Sequence, residues 1–162
     1  MNDARLFDFE SDFVATLRCI PMAVRFKLDR CGIKVSLRQW SRLTVEDRRD
    51  LLIAPCDGPE EVDAYRGALV ARVAERTGEA ANPLPEPAPT QWMQDHKTPA
   101  AVCERAALQG VRPPSDRQWR DLTDLERFVL VKLSRDNHDN VNFIPALKEF
   151  GLLEREAAQA PV

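Results

Sequence analysis

An eleven-residue segment occurs twice in this chain, and this repetition constrains the fold more than any other feature of the sequence. Residues 38–48 read RQWSRLTVEDR and residues 117–127 read RQWRDLTDLER, so that six of the eleven positions are identical. Self-similarity at a fixed spacing is typical of duplicated structural units. We therefore predict two diverged tandem repeats.

Helix-capping signals at matched positions indicate that both repeats are helical. In each repeat a Ser and a Thr precede a Gln, Asp or Glu by three residues, which is the pattern of a capping box at a helix start. The four capping residues are Ser36, Thr44, Ser115 and Thr123. Gly32 and Gly110 lie where a left-handed residue would end a helix, and Thr98 is the predicted N-cap in front of Pro99. The predicted fold class is all-α, with both repeats packed into one compact domain.

The domain boundaries follow from the repeat and from one proline-rich stretch. We predict an N-terminal segment packing on the repeats at 1–20 (helical from about Ser11), repeat 1 at 21–81, a proline-rich connector at 82–97, repeat 2 at 98–153 and a flexible tail at 154–162. Alternating prolines favour an extended polyproline conformation, which suits a spacer. A ligand for an SH3-like domain is the alternative interpretation of this stretch. Trp40 and Trp119 are predicted to lie in the core.

Charge and composition limit the classes of partner. The net charge of −3 and the isoelectric point near 5.5 lack the basic footprint of a nucleic-acid-binding protein. No apolar run approaches the ~20 residues that span a bilayer, and the N-terminus lacks the pattern of a secretory signal. The four cysteines form no Cys-x-x-Cys pair, which is typical of free thiols in a reducing compartment. We therefore expect a cytoplasmic protein with neither nucleic-acid nor membrane partners.

Catalytic motifs are missing from the sequence, whereas the cysteines allow a sharper hypothesis. The chain has no Gly-x-Gly-x-x-Gly, Walker or Gly-x-Ser-x-Gly motif, so we predict no enzymatic activity and no cofactor. An enzyme of cofactor metabolism is the remaining alternative. Cys19, Cys31 and Cys56 lie in repeat 1, and with His138 they could bind zinc or an iron–sulfur centre. Buried free thiols acting as small apolar side chains are the other interpretation.

Two polar regions are candidates for contact with a partner. The cationic residues Arg18, Arg25 and Lys27 lie close together in the sequence, and they could bind an anion, lower a thiol pKa or form helix-surface ion pairs. The segment 134–143 is rich in Asn, Asp and His, which is typical of a turn and also offers many hydrogen-bonding groups. Its candidate contact residues are Arg135, His138 and Asn142.

These residues also carry a family resemblance. Residues 9–29 read FExDFxxxLRCIPMxVRFKLD, followed by CGIK at 31–34 and by Trp40, and the later segments are ERTG at 75–78, RF at 127–128, KLSR at 132–135 and NFxPALKEF at 142–150. The sequence resembles the nitrate reductase-associated protein family from about Leu6 to Leu152. The resemblance implies a partner that is nitrate reductase or a molybdenum-cofactor protein, and a role in the maturation, cofactor loading or activity of assimilatory nitrate reductase. It implies no catalytic residues. A metal-, iron–sulfur- or molybdenum-cofactor-binding protein using the cysteines is the alternative.

Overall fold

The computed structural model describes residues 4–10, 17–94, 96–135 and 141–153, and this part of the chain is mostly helical. The prediction of an all-α fold is confirmed. The chain forms two compact units, residues 1–89 and residues 90–162, where the sequence suggested a single compact domain. The predicted tail at 154–162 and the predicted helix start near Ser11 lie outside the described residues.

The first unit is built around one long helix. Its elements in chain order are α1 (Met22–Cys31), β1 (Ile33–Lys34), α2 (Leu37–Arg42), α3 (Val45–Ile53), α4 (Pro59–Thr77) and β2 (Asn82–Pro83). The long helix α4 packs against α1, α2 and α3. Tyr65, Leu69 and Val73 recur every fourth residue and are buried, as expected for one face of a helix. Gly78 ends α4 with φ 70°, a left-handed conformation that glycine adopts readily.

A two-residue antiparallel pair joins the start of the proline-rich stretch to the first unit. Ile33 pairs with Pro83 and Lys34 pairs with Asn82, and the backbone N–H of Leu84 donates to the carbonyl of Gly32 at 2.8 Å. A residue before proline is restricted to extended conformations, and proline is tolerated at a strand edge because it needs no N–H partner. This small pair is a departure from the purely helical pattern that the sequence predicted.

The N-terminal segment packs on the first unit and caps α1. Residues Asp8–Glu10 form a short 3₁₀ helix, and Phe7 before it is buried. Helix α1 begins after Pro21, which has no side-chain capping bond. The Glu10 carboxylate instead accepts hydrogen bonds from the backbone N–H of Met22 at 2.7 Å and of Phe7 at 3.3 Å. A buried acidic group thus satisfies one of the N–H groups that the helix start leaves unpaired.

The second unit contains α5 (Gln91–Gln94), α6 (Ala100–Leu108), α7 (Asp116–Asp121), α8 (Asp124–Leu133) and α9 (Phe143–Glu149). Helix α8 contacts α5, α6 and α9, and its buried residues form the centre of this unit. The predicted N-cap of α6 is wrong. Pro99 is the N-cap, and the Thr98 hydroxyl donates instead to the carbonyl of Pro114 at 2.8 Å.

The four predicted capping boxes are confirmed. In all four helices the backbone N–H of the third helical residue donates to the Ser or Thr hydroxyl. The Gln, Asp or Glu side chain of that third residue accepts in turn from the N-cap backbone N–H. A further match follows: Arg48 Nε donates to the Trp40 carbonyl at 3.1 Å, and Arg127 Nε donates to the Trp119 carbonyl at 3.0 Å. Both tryptophans are buried as predicted. These are local likenesses, and the duplication itself stays a prediction.

Candidate functional site

The first unit holds two cysteine thiols in contact with each other beneath its surface. Cys31 is the last residue of α1, and Cys56 lies in the short loop between α3 and α4. Their Sγ atoms are 3.8 Å apart. The exposed fraction is 2% for Cys31 and 0% for Cys56. We call these two residues the thiol pair. The sequence grouped them only together with Cys19 and His138, as possible metal ligands.

Two cationic side chains on α1 hold the α3–α4 loop in place. Lys27 Nζ donates to the carbonyl of Leu52 at 2.6 Å and to that of Ala54 at 2.7 Å. Arg30 donates to the carbonyl of Cys56 at 2.8 Å. The last carbonyls of a helix lack partners within the helix, and a cation there also interacts favourably with the helix dipole. Lys27 therefore caps the C-terminus of α3, and together with Arg30 it brings Cys56 to the end of α1.

Helix α4 closes the other side of the thiol pair. Arg66 Nε donates to the carbonyl of Cys31 at 2.8 Å. The Tyr65 hydroxyl donates to the carbonyl of Leu51 at 2.6 Å, and Lys27 Nζ lies 5.7 Å from the centre of the Tyr65 ring. The site is therefore a set of backbone carbonyls held by buried or half-buried donors, with two sulfur atoms at its centre.

The two thiols have different acidities. The hydrogen bond with Cys56 lowers the pKa of Cys31, and the nearby guanidinium groups of Arg66 and Arg30 lower it further, while burial opposes them. The hydrogen bond with Cys31 and burial both raise the pKa of Cys56. Burial also raises the pKa of the Tyr65 hydroxyl. The guanidinium groups beside Cys31 favour its thiolate, which is the reactive form of cysteine.

The structure does not gather the predicted metal ligands. Within residues 4–10, 17–94, 96–135 and 141–153, no three His, Cys, Asp or Glu side chains lie close enough to hold a metal ion. Cys19 precedes α1 whereas Cys31 ends it, and a ten-residue helix separates its two ends by about 15 Å. Of Cys19, Cys31 and Cys56, only the last two form a contact. His138 lies outside the described residues.

The three cationic candidates of the first unit have different environments. Arg18 is exposed, and Arg25 is half-buried with its Nε donating to the carbonyl of Ile20 at 3.1 Å. Lys27 is only 1% exposed, and its ammonium group lies against the α3 C-terminus rather than at the surface. The Lys27 ammonium group is therefore not placed for a surface contact with a partner. The charge pattern of the sequence could not distinguish a capping lysine from an exposed one.

The candidates of the second unit lie at either side of residues 136–140, which are not described. Arg135 is exposed just after α8, and Asn142 is half-buried at the N-cap of α9, where its side chain makes no capping bond. His138 falls within the undescribed residues. Arg135 is therefore the exposed cationic candidate of this unit among the residues that the structure describes.

A largely buried carboxylate ties α3 to α4 on another face of the first unit. Asp47 accepts from the backbone N–H of Thr44 at 3.0 Å in the capping box, and Arg76 Nε donates to it at 2.8 Å. The hydrogen bond from Arg76 lowers the pKa of Asp47 against the opposing effect of burial. This pair is a structural link between two helices, and the sequence identified Asp47 only as a capping residue.

Several residues of the site were not chosen from the sequence. Arg30, Tyr65 and Arg66 all bond to backbone carbonyls around the thiol pair. A tyrosine on the apolar face of a predicted helix is one usable signal, because a buried tyrosine hydroxyl needs a partner. The arginines carry no such signal, since their partners are carbonyls of residues far away in the sequence.

The fold and this centre define an all-helical protein with a buried pair of free thiols. The family model of the conserved nitrate reductase-associated proteins matches residues 6–150, and the chain belongs to this family. Comparison with curated proteins finds no match, and comparison with solved structures finds none. Among the described helices, none combines the length and apolar character needed to cross a membrane.

Proposed function

We propose that this protein is a non-enzymatic accessory protein that contacts nitrate reductase and supports its maturation, cofactor loading or activity. The observation that carries the proposal is membership of the nitrate reductase-associated family over residues 6–150. The sequence also lacks phosphate-binding glycine loops and nucleophile motifs, which accords with a binding role. The four free cysteines accord with a cytoplasmic location, which forms part of the same proposal.

The contact in this proposal is made through exposed arginines. Arg18 in the first unit and Arg135 in the second are exposed. Arginine is enriched in protein interfaces, where it often contributes a large share of the binding energy. The two residues lie in different units, so the two contacts are tested one at a time.

Retention on immobilised nitrate reductase from the same organism tests the proposal. The wild-type chain is expected to be retained by the apoenzyme or the holoenzyme, and Arg18→Glu or Arg135→Glu is expected to weaken retention about tenfold or more, as for a hot-spot arginine. Arg49→Glu and Arg112→Glu are matched controls, because these arginines are also exposed, one in each unit. Loss of retention in the controls as well would indicate a nonspecific charge effect.

A functional readout separates the accessory role from mere binding. Nitrate reductase produced without this protein is expected to be less active or to contain less cofactor, and adding the purified protein is expected to restore it. Retention by a molybdenum-cofactor protein instead of nitrate reductase would mean that the direct partner is the protein that handles the cofactor. If neither partner retains the chain and nitrate reductase is equally active without it, the proposal is wrong.

A further inference from the structure

We propose that Cys31 and Cys56 form a reversible disulfide when the protein meets a hydroperoxide, which makes the thiol pair a redox modification site. The Sγ atoms are 3.8 Å apart, and a disulfide bond is about 2.05 Å long. The two sulfur atoms must therefore approach each other by just under 2 Å, a movement that a short loop can make. Cys56 lies in such a loop, between Ile53 at the end of α3 and Pro59 at the start of α4.

The surroundings of the two sulfur atoms suit this reaction. Cys31 has the guanidinium groups of Arg66 and Arg30 nearby, and both favour its thiolate form. Each sulfur atom also lies near a backbone carbonyl, Cys31 Sγ at 3.7 Å from that of Val62 and Cys56 Sγ at 3.9 Å from that of Lys27. In the proposed reaction Cys31 attacks the oxidant, and Cys56 supplies the second sulfur of the disulfide.

The atoms and electrons balance with a hydroperoxide as the oxidant. The Cys31 thiolate attacks the outer peroxide oxygen, the O–O bond breaks, and Cys31 becomes a sulfenic acid while hydroxide, or an alkoxide from an organic peroxide, leaves and takes up a proton. The Cys56 sulfur then attacks the Cys31 sulfur, the S–O bond breaks and water leaves. The two thiols lose two electrons and two protons in total, and hydrogen peroxide is reduced to two waters.

Access to the thiol pair favours a small oxidant. Both side chains are almost fully buried, but the neighbours of Cys56 on either side, Pro55 and Asp57, are exposed. A brief movement of this loop would admit a peroxide and exclude a bulky thiol reagent. Cys19 and Cys103 are half-buried and lie on other elements, one before α1 and one on α6. They provide internal controls for general thiol oxidation.

The disulfide would close a covalent loop around α2 and α3. Cross-linking two residues removes conformations from the unfolded chain, and the effect grows with the length of the enclosed segment. The segment here runs from Cys31 to Cys56. We expect the oxidised protein to melt at least about 5 °C higher than the reduced protein.

The test uses the full folded chain and hydrogen peroxide at low molar excess. Peptide mapping without reduction is expected to recover one linked species that contains Cys31 and Cys56, while the count of free thiols falls from four to two. Reduction with dithiothreitol is expected to restore all four. The matched control is the Cys19→Ser, Cys103→Ser double variant, which should behave like the wild type because it keeps the thiol pair.

A second variant tests the order of the two steps. Cys56→Ser removes the resolving thiol, so Cys31 is expected to stop at the sulfenic acid and to be trapped by dimedone. If this variant does not fold, the Cys19→Ser, Cys103→Ser double variant still tests whether Cys31 and Cys56 form a disulfide. The proposal is overturned if Cys31 and Cys56 stay reduced while Cys19 or Cys103 reacts. Linkage that forms only in the unfolded chain, or oxidation that dithiothreitol does not reverse, would overturn it as well.

Discussion

Lys27 is the residue whose replacement gives the most direct test of how the first unit is held together. Its ammonium group donates to two carbonyls at 2.6 and 2.7 Å and is 1% exposed. In Lys27→Met the side-chain stem is kept, but two charge-assisted hydrogen bonds are lost and two buried carbonyls lose their donor. A hydrogen bond from a charged group contributes about 1.5–3 kcal/mol, so the two together contribute about 3–6 kcal/mol.

Part of this loss is offset, because the variant no longer has to keep a charge away from water. The desolvation of a buried ion costs several kcal/mol in a folded protein. Taking the two effects together, we expect Lys27→Met to lower the free energy of unfolding by about 1–3 kcal/mol. With a urea slope of about 2 kcal/mol per molar, the midpoint of unfolding should fall by about 0.5–1.5 M.

Urea unfolding followed by circular dichroism measures this shift. Lys34→Met is the matched control, because Lys34 lies on β1 and is exposed. Its replacement should change the free energy of unfolding by less than about 0.5 kcal/mol. If the two units unfold in separate transitions, the transition of residues 1–89 is the one expected to move. A Lys27→Met protein as stable as the control, or more stable, would refute the view that this lysine secures the α3 C-terminus.

Three further predictions compare matched positions or follow from a single group. Trp40→Phe should lower the free energy of unfolding in urea by about 1 kcal/mol more than Trp119→Phe does. The Trp40 indole donates a hydrogen bond at 2.8 Å, whereas that of Trp119 has no acceptor among the described residues. Equal losses of stability in the two variants would contradict this. The lowered pKa of Asp47 means that its carboxylate stabilises the folded state above the unfolded pKa of about 4, and that this contribution is lost as the pH falls through the folded pKa. Urea unfolding between about pH 6 and pH 3 should therefore show a smaller loss of stability for Asp47→Asn than for the wild type, and parallel pH profiles would count against the argument. Gly32→Ala should destabilise the folded protein by about 1–2 kcal/mol, because Gly32 has φ 69°, whereas Gly67→Ala within α4 should stabilise it by about 0.5–1 kcal/mol. Thermal melting measures both changes, and melting temperatures that shift in the same direction would contradict this reasoning.

The parts of the fold that could be predicted are those specified within a few residues. A capping box needs only a Ser or Thr and an acceptor three residues later, so all four boxes form where the sequence pattern placed them. Gly32 ends α1 in the left-handed conformation, as predicted, for the same local reason. Thr98 shows the limit of such reasoning. Helix α6 starts one residue later than its sequence pattern indicates, and the Thr98 hydroxyl donates to the carbonyl of Pro114, sixteen residues further along the chain.

The candidate site could be predicted only in its composition. Cys31 and Cys56 were chosen because of their residue type, but so was Cys19, which lies before the start of α1. Lys27 was chosen as a contact residue, and its burial depends on the course of α3. The long-range bonds of Arg30 and Arg66 to carbonyls around the thiol pair have no periodicity that a sequence could reveal.

The repeated Arg-Gln-Trp segment, its caps and the closing glycines are determined by the sequence itself, because each rests on interactions between neighbours along the chain. Tertiary structure decided where the two Arg-Gln-Trp segments differ in their contacts. The Trp40 indole donates to the carbonyl of Leu17, a residue of the N-terminal segment. The same segment supplies Glu10 as the cap of α1. The contact between Cys31 and Cys56 likewise forms only when α1 and the α3–α4 loop pack together, since 25 residues separate the two thiols along the chain.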